Sequence, residues 1–297
     1  MKTFTLMAAA LVALVIATPV SSATEFHQRQ AAAAEGSIDI SNVAGSVRVV
    51  GWDRNEIEVE GTLGGDVERV EFTVSGDRSE VRVHLPRRSG SIRDGDADLT
   101  INVPRGSRVS ASTVSAGIHA EGLSGKPELK SVSGDVTVSG TFTAAEVQSV
   151  SGAVRVIGTG KDARIRAIAI SGDVLVSAMD GELKATSVSG TVKVTAAGIR
   201  RADLGSTSGG VVFDAPLVAD GRYELGTVSG SVRFVVHGAA KARYELQALS
   251  GNIRNSFGPK PQRVREYGPG MALEFEEGRD AEVEMSAVSG TLRLDRK

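Results

Sequence analysis

Ser131–Val138, which reads SVSGDVTV, has four close copies further along the chain. SVSGAVRV begins at Ser149, AISGDVLV at Ala169, SVSGTVKV at Ser187 and TVSGSVRF at Thr227. Self-similarity at a fixed period is typical of a repeat architecture. A Ser-Gly pair that recurs in every copy is therefore predicted to be a corner of that architecture and not a reactive group.

The glycine of each V-S-G marks one column of the repeat, and Ala116 takes its place in the first copy. The column reads Ala116, Gly134, Gly152, Gly172, Gly190, Gly209, Gly230, Gly251 and Gly290. Successive members lie 18 to 21 residues apart, except for the last pair, which lie 39 apart. Because 39 is about two periods, we expect one coil there to be degenerate or replaced by a long loop.

Residues on both sides of the glycine alternate as they do in a β-strand with one buried face. The positions two and four after it are apolar, apart from Asn255, and the position between them is mixed and polar. A second apolar column precedes each V-S-G and indicates another short strand. It reads Leu129, Val147, Ala167, Ala185, Leu204, Leu225, Leu246 and Met285. The period is two, so strands and not helices are predicted.

A unit of two strands of about five residues cannot bury its apolar face alone, but stacked units can. The sequence therefore predicts an all-β chain, a single right-handed β-solenoid of about ten coils, resembling a parallel β-helix. Each coil has 18–21 residues and two short strands. At the corner, glycine permits an unusual backbone conformation or a close approach by the next coil. The serine is expected to bond to the turn backbone or to the next serine in the stack.

The N-terminal residues 1–23 have the positive start, uncharged apolar run and small-residue exit of a cleaved secretory signal peptide. No later segment approaches membrane-spanning length, so no transmembrane segment is expected after cleavage. The chain has no cysteine, which excludes disulfides and a lipidated cysteine after the signal. We expect an exported protein that is periplasmic, secreted or associated with the cell surface.

Three further segments are expected in the mature chain. Residues 24–36 form a flexible N-terminus. Residues 37–110 form the first coil and an N-terminal β cap with a hairpin, which covers the open end of the stack. Residues 111–297 form the V-S-G solenoid, with a proline-containing loop excursion near 255–272.

The opening GSVRVVGWDRNEIEVEGTLGG, the element LTINVPRGSRV and the string of V-S-G-x-V coils together carry a family resemblance. Between Ile38 and Leu294 the chain resembles the bacterial "putative adhesin" domain-of-unknown-function family. The resemblance implies a β-solenoid at the cell envelope with an adhesin-like role. It carries over no catalytic residues, because the family has no established ones.

No residue pattern in the sequence predicts catalysis or metal binding. Asp135 and Asp173 share the column after the glycine, but no neighbouring coil has a carboxylate there, which is typical of turn aspartates. The histidines lack metal-ligand spacing. They are His27, His84, His119 and His237. We expect no catalytic residue, cofactor or metal.

Two outward columns carry charge. The basic column, on the strand after the glycine, contains Arg155, Lys193, Arg233, Arg254 and Arg293. The acidic column, on the strand before it, reads Glu128, Glu146, Arg166, Lys184, Asp203, Glu224, Glu245 and Glu284, and is uniformly acidic only toward the C-terminus. Stacked like charges do not favour stability. The basic column is either an ordinary solvated face or a strip for anionic envelope polysaccharide or another envelope protein.

The function predicted from these features is a non-enzymatic binding, adhesin-like or scaffolding surface at the bacterial cell envelope. The net charge of −2 predicts no nucleic-acid partner. One alternative is a carbohydrate-active enzyme with a groove along the solenoid, and another is a periplasmic modulator of envelope signalling. An enzyme groove needs aromatic side chains for sugar stacking. The available Trp and Tyr residues are Trp52, Tyr223, Tyr244 and Tyr267.

Overall fold

The computed structural model describes residues 24–86, 94–264 and 269–297. Within these ranges the chain is all β, with 22 strands and no helix. The predicted signal peptide and Tyr267 lie outside the described residues. The described residues include no helix of the length and hydropathy that a bilayer crossing requires.

The strands fall into an N-terminal part and a repeat. Those of the N-terminal part are β1 (Thr24–Ala31), β2 (Ser37–Asn42), β3 (Ala44–Trp52), β4 (Glu56–Leu63), β5 (Arg69–Ser75), β6 (Arg78–His84), β7 (Asp96–Pro104), β8 (Arg108–Thr113) and β9 (Gly117–Leu123). Those of the repeat are β10 (Glu128–Ser131), β11 (Val136–Gly140), β12 (Ala144–Ser149), β13 (Val154–Gly158), β14 (Ala163–Ala169), β15 (Val174–Ser187), β16 (Val192–Ser206), β17 (Val211–Pro216), β18 (Gly221–His237), β19 (Arg243–Asn255), β20 (Gln262–Arg263), β21 (Met271–Glu276) and β22 (Ala281–Arg296).

The repeat strands form two parallel ladders. The first ladder runs through β2, β8, β10, β12 and β14, and continues in the later part of β15 and β16 and the first part of β18. The second runs through β3, β9, β11 and β13, the first part of β15 and β16, then β17 and the later part of β18. Successive coils therefore stack in parallel, which confirms the predicted β-solenoid.

One continuous apolar core lies between the two ladders. It is built mainly from Val, Ile, Leu and Ala of the inward columns, as the alternation predicts. Aromatic rings enter it near the C-terminal end, where Phe213, Tyr223 and Phe234 lie with ring centroids 4.7 to 5.9 Å apart. Such clusters add large buried areas to a core that is otherwise aliphatic.

The N-terminal part contains the predicted hairpin, β5–β6, and antiparallel pairs of β4 with β7 and with β1. The segment 24–36 differs from the expectation of a flexible N-terminus, because Thr24–Ala31 is strand β1, paired with β4 along its whole length. The strand has mostly polar residues because it lies at the edge of the sheet. Only Phe26 packs against the core.

The C-terminal coils do not stack in chain order. Strand β22 pairs with β18 on one side and with β19 on the other, both in parallel. The chain thus leaves one position empty after β18, forms β19, continues through the excursion and the antiparallel strands β20 and β21, and returns to fill the gap. The spacing of 39 residues between the last two glycines reflects this insertion and not a degenerate coil.

Candidate functional site

A line of buried hydroxyl groups joins the corners of neighbouring coils. In the coil of Ser187, its Oγ donates a hydrogen bond to the carbonyl of Gly172 in the coil below (2.9 Å) and accepts one from Gly190 N–H in its own coil (2.9 Å). The same pair of bonds recurs at Ser149 and Ser206. The bonding serine is therefore three residues before the glycine. The serine directly before the glycine, which the sequence analysis selected, is exposed.

The corner glycines allow a close approach between coils. A Cβ atom at Gly172 would lie 2.0 Å from the carbonyl oxygen of Gly152, and one at Gly190 would lie 2.1 Å from that of Gly172. Of the two reasons expected for glycine, close approach is the one that applies at these corners. Asp135 has a structural role, because its Oδ1 accepts a hydrogen bond from Ala153 N–H in the next coil (2.7 Å).

The basic column lies along the second ladder, with Leu175 and Val212 between some of its cations. The register places Arg155, Leu175, Lys193, Val212, Arg233, Arg293 and Arg254 side by side in that order. Because β22 is inserted between β18 and β19, three arginines lie on adjacent strands. All five predicted basic residues are exposed and on one face. His119 belongs to the same row nearer the N-terminus, and Arg48 lies beside it on the adjacent strand. Arg48 was not among the residues predicted from the sequence.

Asp295 shares its charge between two of these arginines. It accepts hydrogen bonds from Nε of Arg233 and Nε of Arg293, each at 2.8 Å. Partial burial opposes ionisation of this carboxyl, but the hydrogen bonds from Arg293 and Arg233 outweigh it and lower the pKa of Asp295. Within the described ranges, Arg155, Lys193 and Arg254 have no ion pair. The column therefore keeps an excess of positive charge.

The acidic column lies along the first ladder, where Arg166 and Lys184 interrupt it between Glu146 and Asp203. Its C-terminal part reads Asp203, Glu224, Glu284 and Glu245 on successive strands. Asp203 pairs with Lys184, and Glu245 accepts a hydrogen bond from Gln247. Glu224 and Glu284 have neither an ion pair nor a hydrogen bond to any residue that the structure describes. The two charged columns thus lie on different ladders of the same coils.

The structure shows an apolar row that the sequence analysis missed. The residue just before the serine of each V-S-G is exposed and, in all but one coil, aliphatic. This aliphatic ridge consists of Val114, Val132, Val150, Ile170, Val188, Val228, Val288 and Leu249, with Thr207 as its polar member. The sequence pattern could have revealed this row. If Leu129 faces inward, strict alternation places Val132 outward.

Fewer aromatic side chains are accessible for sugar binding than the composition suggests. Tyr223 and Tyr244 are fully buried, and their hydroxyl groups donate to the carbonyls of Ile199 (2.9 Å) and Ala240 (2.8 Å). Burial raises the pKa of both hydroxyls. Trp52 is half-buried, and its Nε1 donates to a backbone carbonyl. Neither tyrosine is available to stack on a sugar.

Three potential metal ligands, His27, Glu58 and Glu60, meet where β1 pairs with β4, with their ligand atoms within 4.8 Å of one another. The Glu58 carboxylate accepts hydrogen bonds from Arg29 Nε (3.0 Å) and His27 Nε2 (3.1 Å). The bonds from Arg29 and then His27 lower the pKa of Glu58 to about 2. A guanidinium already supplies the positive charge at this oxygen, so the group acts as an ion-pair network that holds β1 in place.

The ladders and columns define the class of protein, a repeat β-solenoid that presents long faces of regularly stacked side chains. The chain belongs to the Toastrack DUF4097 family, whose model matches residues 20–218, more than half of its length. The family expected from the sequence is thereby confirmed. No curated protein matches the chain.

Several solved structures of bacterial proteins match this chain. A "putative adhesin" from Parabacteroides merdae ATCC 43184 is 10% identical, with a TM-score of 0.49, and the match covers 91% of this chain and 95% of that one. A "Putative lipid binding protein" from Parabacteroides distasonis ATCC 8503 is 12% identical, with a TM-score of 0.47 and coverage of 92% and 98%. A "putative cell adhesion protein" from Clostridium sporogenes ATCC 15579 is 10% identical, with a TM-score of 0.27 and coverage of 93% and 100%.

Proposed function

We propose that this chain is an exported, non-enzymatic binding protein of the bacterial cell envelope whose basic column binds an anionic polysaccharide. The observation that carries the proposal is the stack of Arg233, Arg293 and Arg254 on adjacent strands, with Asp295 as the only carboxylate that the described residues place against it. Repulsion within the stack is relieved when an anionic ligand binds. An adhesin-like or scaffolding role follows from such a surface.

The spacing of the column suits a polymer. Arg155, Lys193 and Arg233 lie on every second strand, which places their positions about 10 Å apart along the stack. A regular row of cations matches a chain with regularly spaced acidic groups better than it matches a single small anion. Each exposed contact is weak, but several on one polymer add together.

The enzyme alternative has less support. A polysaccharide-cleaving groove needs carboxylates and aromatic rings on one face. The acidic and basic columns are on different ladders, and the two tyrosines that could stack on a sugar are in the core. The residues described here therefore favour binding over cleavage.

The proposal is tested with the variant Arg155→Gln, Lys193→Gln, Arg254→Gln, which removes the three cations of the column that have no carboxylate partner among the described residues. Binding of fluorescent alginate oligomers, a polyuronate, is measured by anisotropy at several salt concentrations. We expect about a tenfold loss of affinity, and a weaker dependence on salt, because three exposed charge contacts are removed.

A matched control has the same change of net charge on the other ladder: Arg108→Gln, Arg166→Gln, Arg201→Gln. These arginines are also exposed. The control variant is expected to bind alginate as the wild type does, and neutral dextran is expected not to bind. Equal affinity of wild type and the column variant, or equal binding of dextran, would refute the proposal.

A further inference from the structure

The aliphatic ridge is a long exposed apolar surface. Its eight aliphatic side chains are between 40% and 68% exposed. They lie on consecutive coils, interrupted only at Thr207, so the ridge is about 38 Å long. Single exposed valines are ordinary, but a contiguous apolar row of this length marks an interaction surface.

A groove runs beside the ridge in the coils of β14, β15, β16, β18 and β22. Its volume is about 590 Å³. Gly205 and Gly226 form its floor, because they occupy an outward column in which neighbouring coils have side chains such as Thr186 and Ser286. The missing side chains leave the groove open. The ridge forms one wall, and the acidic column forms the other.

The acidic wall determines the charge of the partner. Glu224 and Glu284 line the groove on adjacent strands and are exposed, with no ion pair to any described residue. Adjacent like charges disfavour the unbound state, and a cation placed between them removes that repulsion. A partner for this groove must therefore be apolar on one side and positively charged on the other. An anionic lipid surface has the wrong charge.

We infer that this groove binds a segment of another polypeptide in which apolar residues contact the ridge and Lys or Arg residues pair with Glu224 and Glu284. The groove spans about 19 Å from β14 to β22, the length of about six extended residues. The site is separate from the proposed polysaccharide surface, because the two lie on different ladders. The chain therefore has two binding faces of opposite charge in the same coils.

The test uses a labelled alternating Val-Lys peptide of about eight residues, with Val-Glu and Ser-Lys peptides of the same length for comparison. Binding to the full-length mature protein is measured by fluorescence anisotropy. The Val-Lys peptide is expected to bind at least roughly tenfold more tightly than either comparison peptide, because each of them lacks one of the two contacts.

The double variant Glu224→Gln, Glu284→Gln is expected to bind the Val-Lys peptide roughly three- to tenfold more weakly. The matched control, Glu128→Gln, Glu146→Gln, changes the same column by the same charge outside the groove and is expected to bind like the wild type. Gly205→Gln fills the groove and is expected to abolish binding without loss of the fold, because a Cβ there meets only Thr186 Cγ2, at 3.8 Å. Unchanged binding by the double variant, or by Gly205→Gln, overturns the inference.

Two other occupants are distinguished in the same experiments. Vesicles of phosphatidylglycerol and phosphatidylcholine that bind the protein, and lose binding in Gly205→Gln, would identify a lipid site and overturn the inference. Self-association is measured by analytical sedimentation. If the wild type self-associates but binds no peptide, and Val228→Ser does not self-associate, the occupant is a second copy of the chain and the inference is overturned. Alginate binding is also measured with Gly205→Gln. Because the basic column lies on the other ladder, this variant is expected to bind alginate like the wild type, so the peptide site and the polysaccharide site are tested independently.

Discussion

Replacing one corner glycine by alanine tests the reason why the coils can stack. In the variant Gly190→Ala, the added Cβ would lie 2.1 Å from the carbonyl oxygen of Gly172 and 2.5 Å from its carbonyl carbon. Real Cβ atoms do not approach closer than 3.0 Å. The coils must therefore separate locally by about 1 Å, because the obstructing atoms belong to backbone and cannot rotate away.

The expected cost combines two effects. Overpacking of a close-packed interior costs about 1–3 kcal/mol. The separation also lengthens the bond from Ser187 Oγ to the Gly172 carbonyl, now 2.9 Å, and a buried carbonyl without a partner costs about 1–3 kcal/mol more. We expect Gly190→Ala to lower the free energy of unfolding by about 2–6 kcal/mol, the sum of both effects.

The measurement is urea denaturation followed by far-UV circular dichroism. Gly205→Ala is the matched control, because its Cβ would lie 3.8 Å from Thr186 Cγ2, an ordinary contact. The control is expected to be neutral or stabilised by up to about 1 kcal/mol, since alanine restricts the unfolded chain. If both variants unfold at the same urea concentration, glycine is required for some reason other than close approach between coils.

Three further predictions follow from the corners, the N-terminal strand and the strand order. Ser187→Ala is expected to cost about 1–3 kcal/mol in urea denaturation because two backbone groups lose their partner, whereas Ser189→Ala, at the exposed serine, is expected to change stability by less than about 0.5 kcal/mol; equal effects would contradict the bonding pattern. Glu58 has a folded-state pKa of about 2 against an ordinary value of 4.5, so its stabilising effect is complete above about pH 4.5 and is lost as the pH falls towards 2. The difference in thermal midpoint between wild type and Glu58→Gln should therefore shrink over that interval, and a constant difference would contradict it. Deletion of 281–297 is expected to weaken the protection from hydrogen exchange in β18 and β19, because each strand loses the partner that it has on one side; unchanged protection in both strands would contradict the insertion of β22.

The sequence was sufficient to predict the all-β fold because the signal repeats in every coil. Leu129 and its equivalents are buried, and the column containing Val136 faces the same core. The same alternation also predicts the orientation of two side chains that the composition alone does not reveal. It places Tyr223 inward with Leu225, which removes the tyrosine from any sugar site, and it places Val132 outward. Both follow from counting in twos from a confirmed inward residue.

Other features depend on contacts that a periodic pattern cannot specify. Strand β1 contains only Phe26 as a large apolar residue, and it is held by its backbone pairing with β4 and by the ion pair between Glu58 and Arg29 across the sheet. Nor does the repeat specify which coil stacks on which, because repeats with the same alternation present similar edges. The sequence around Gly290 therefore fits equally well after Gly251 or between Gly230 and Gly251.

The insertion of β22 determines both candidate surfaces. It places Arg293 between Arg233 and Arg254 on the second ladder, and Glu284 between Glu224 and Glu245 on the first. It also places Val288 in the aliphatic ridge between the last two coils. Without this strand the basic stack, the acidic wall and the ridge would each have a gap at the same level. Because one strand completes both faces, we expect loss of 281–297 to weaken alginate binding and peptide binding together, whereas the side-chain variants of either face should affect only one of them.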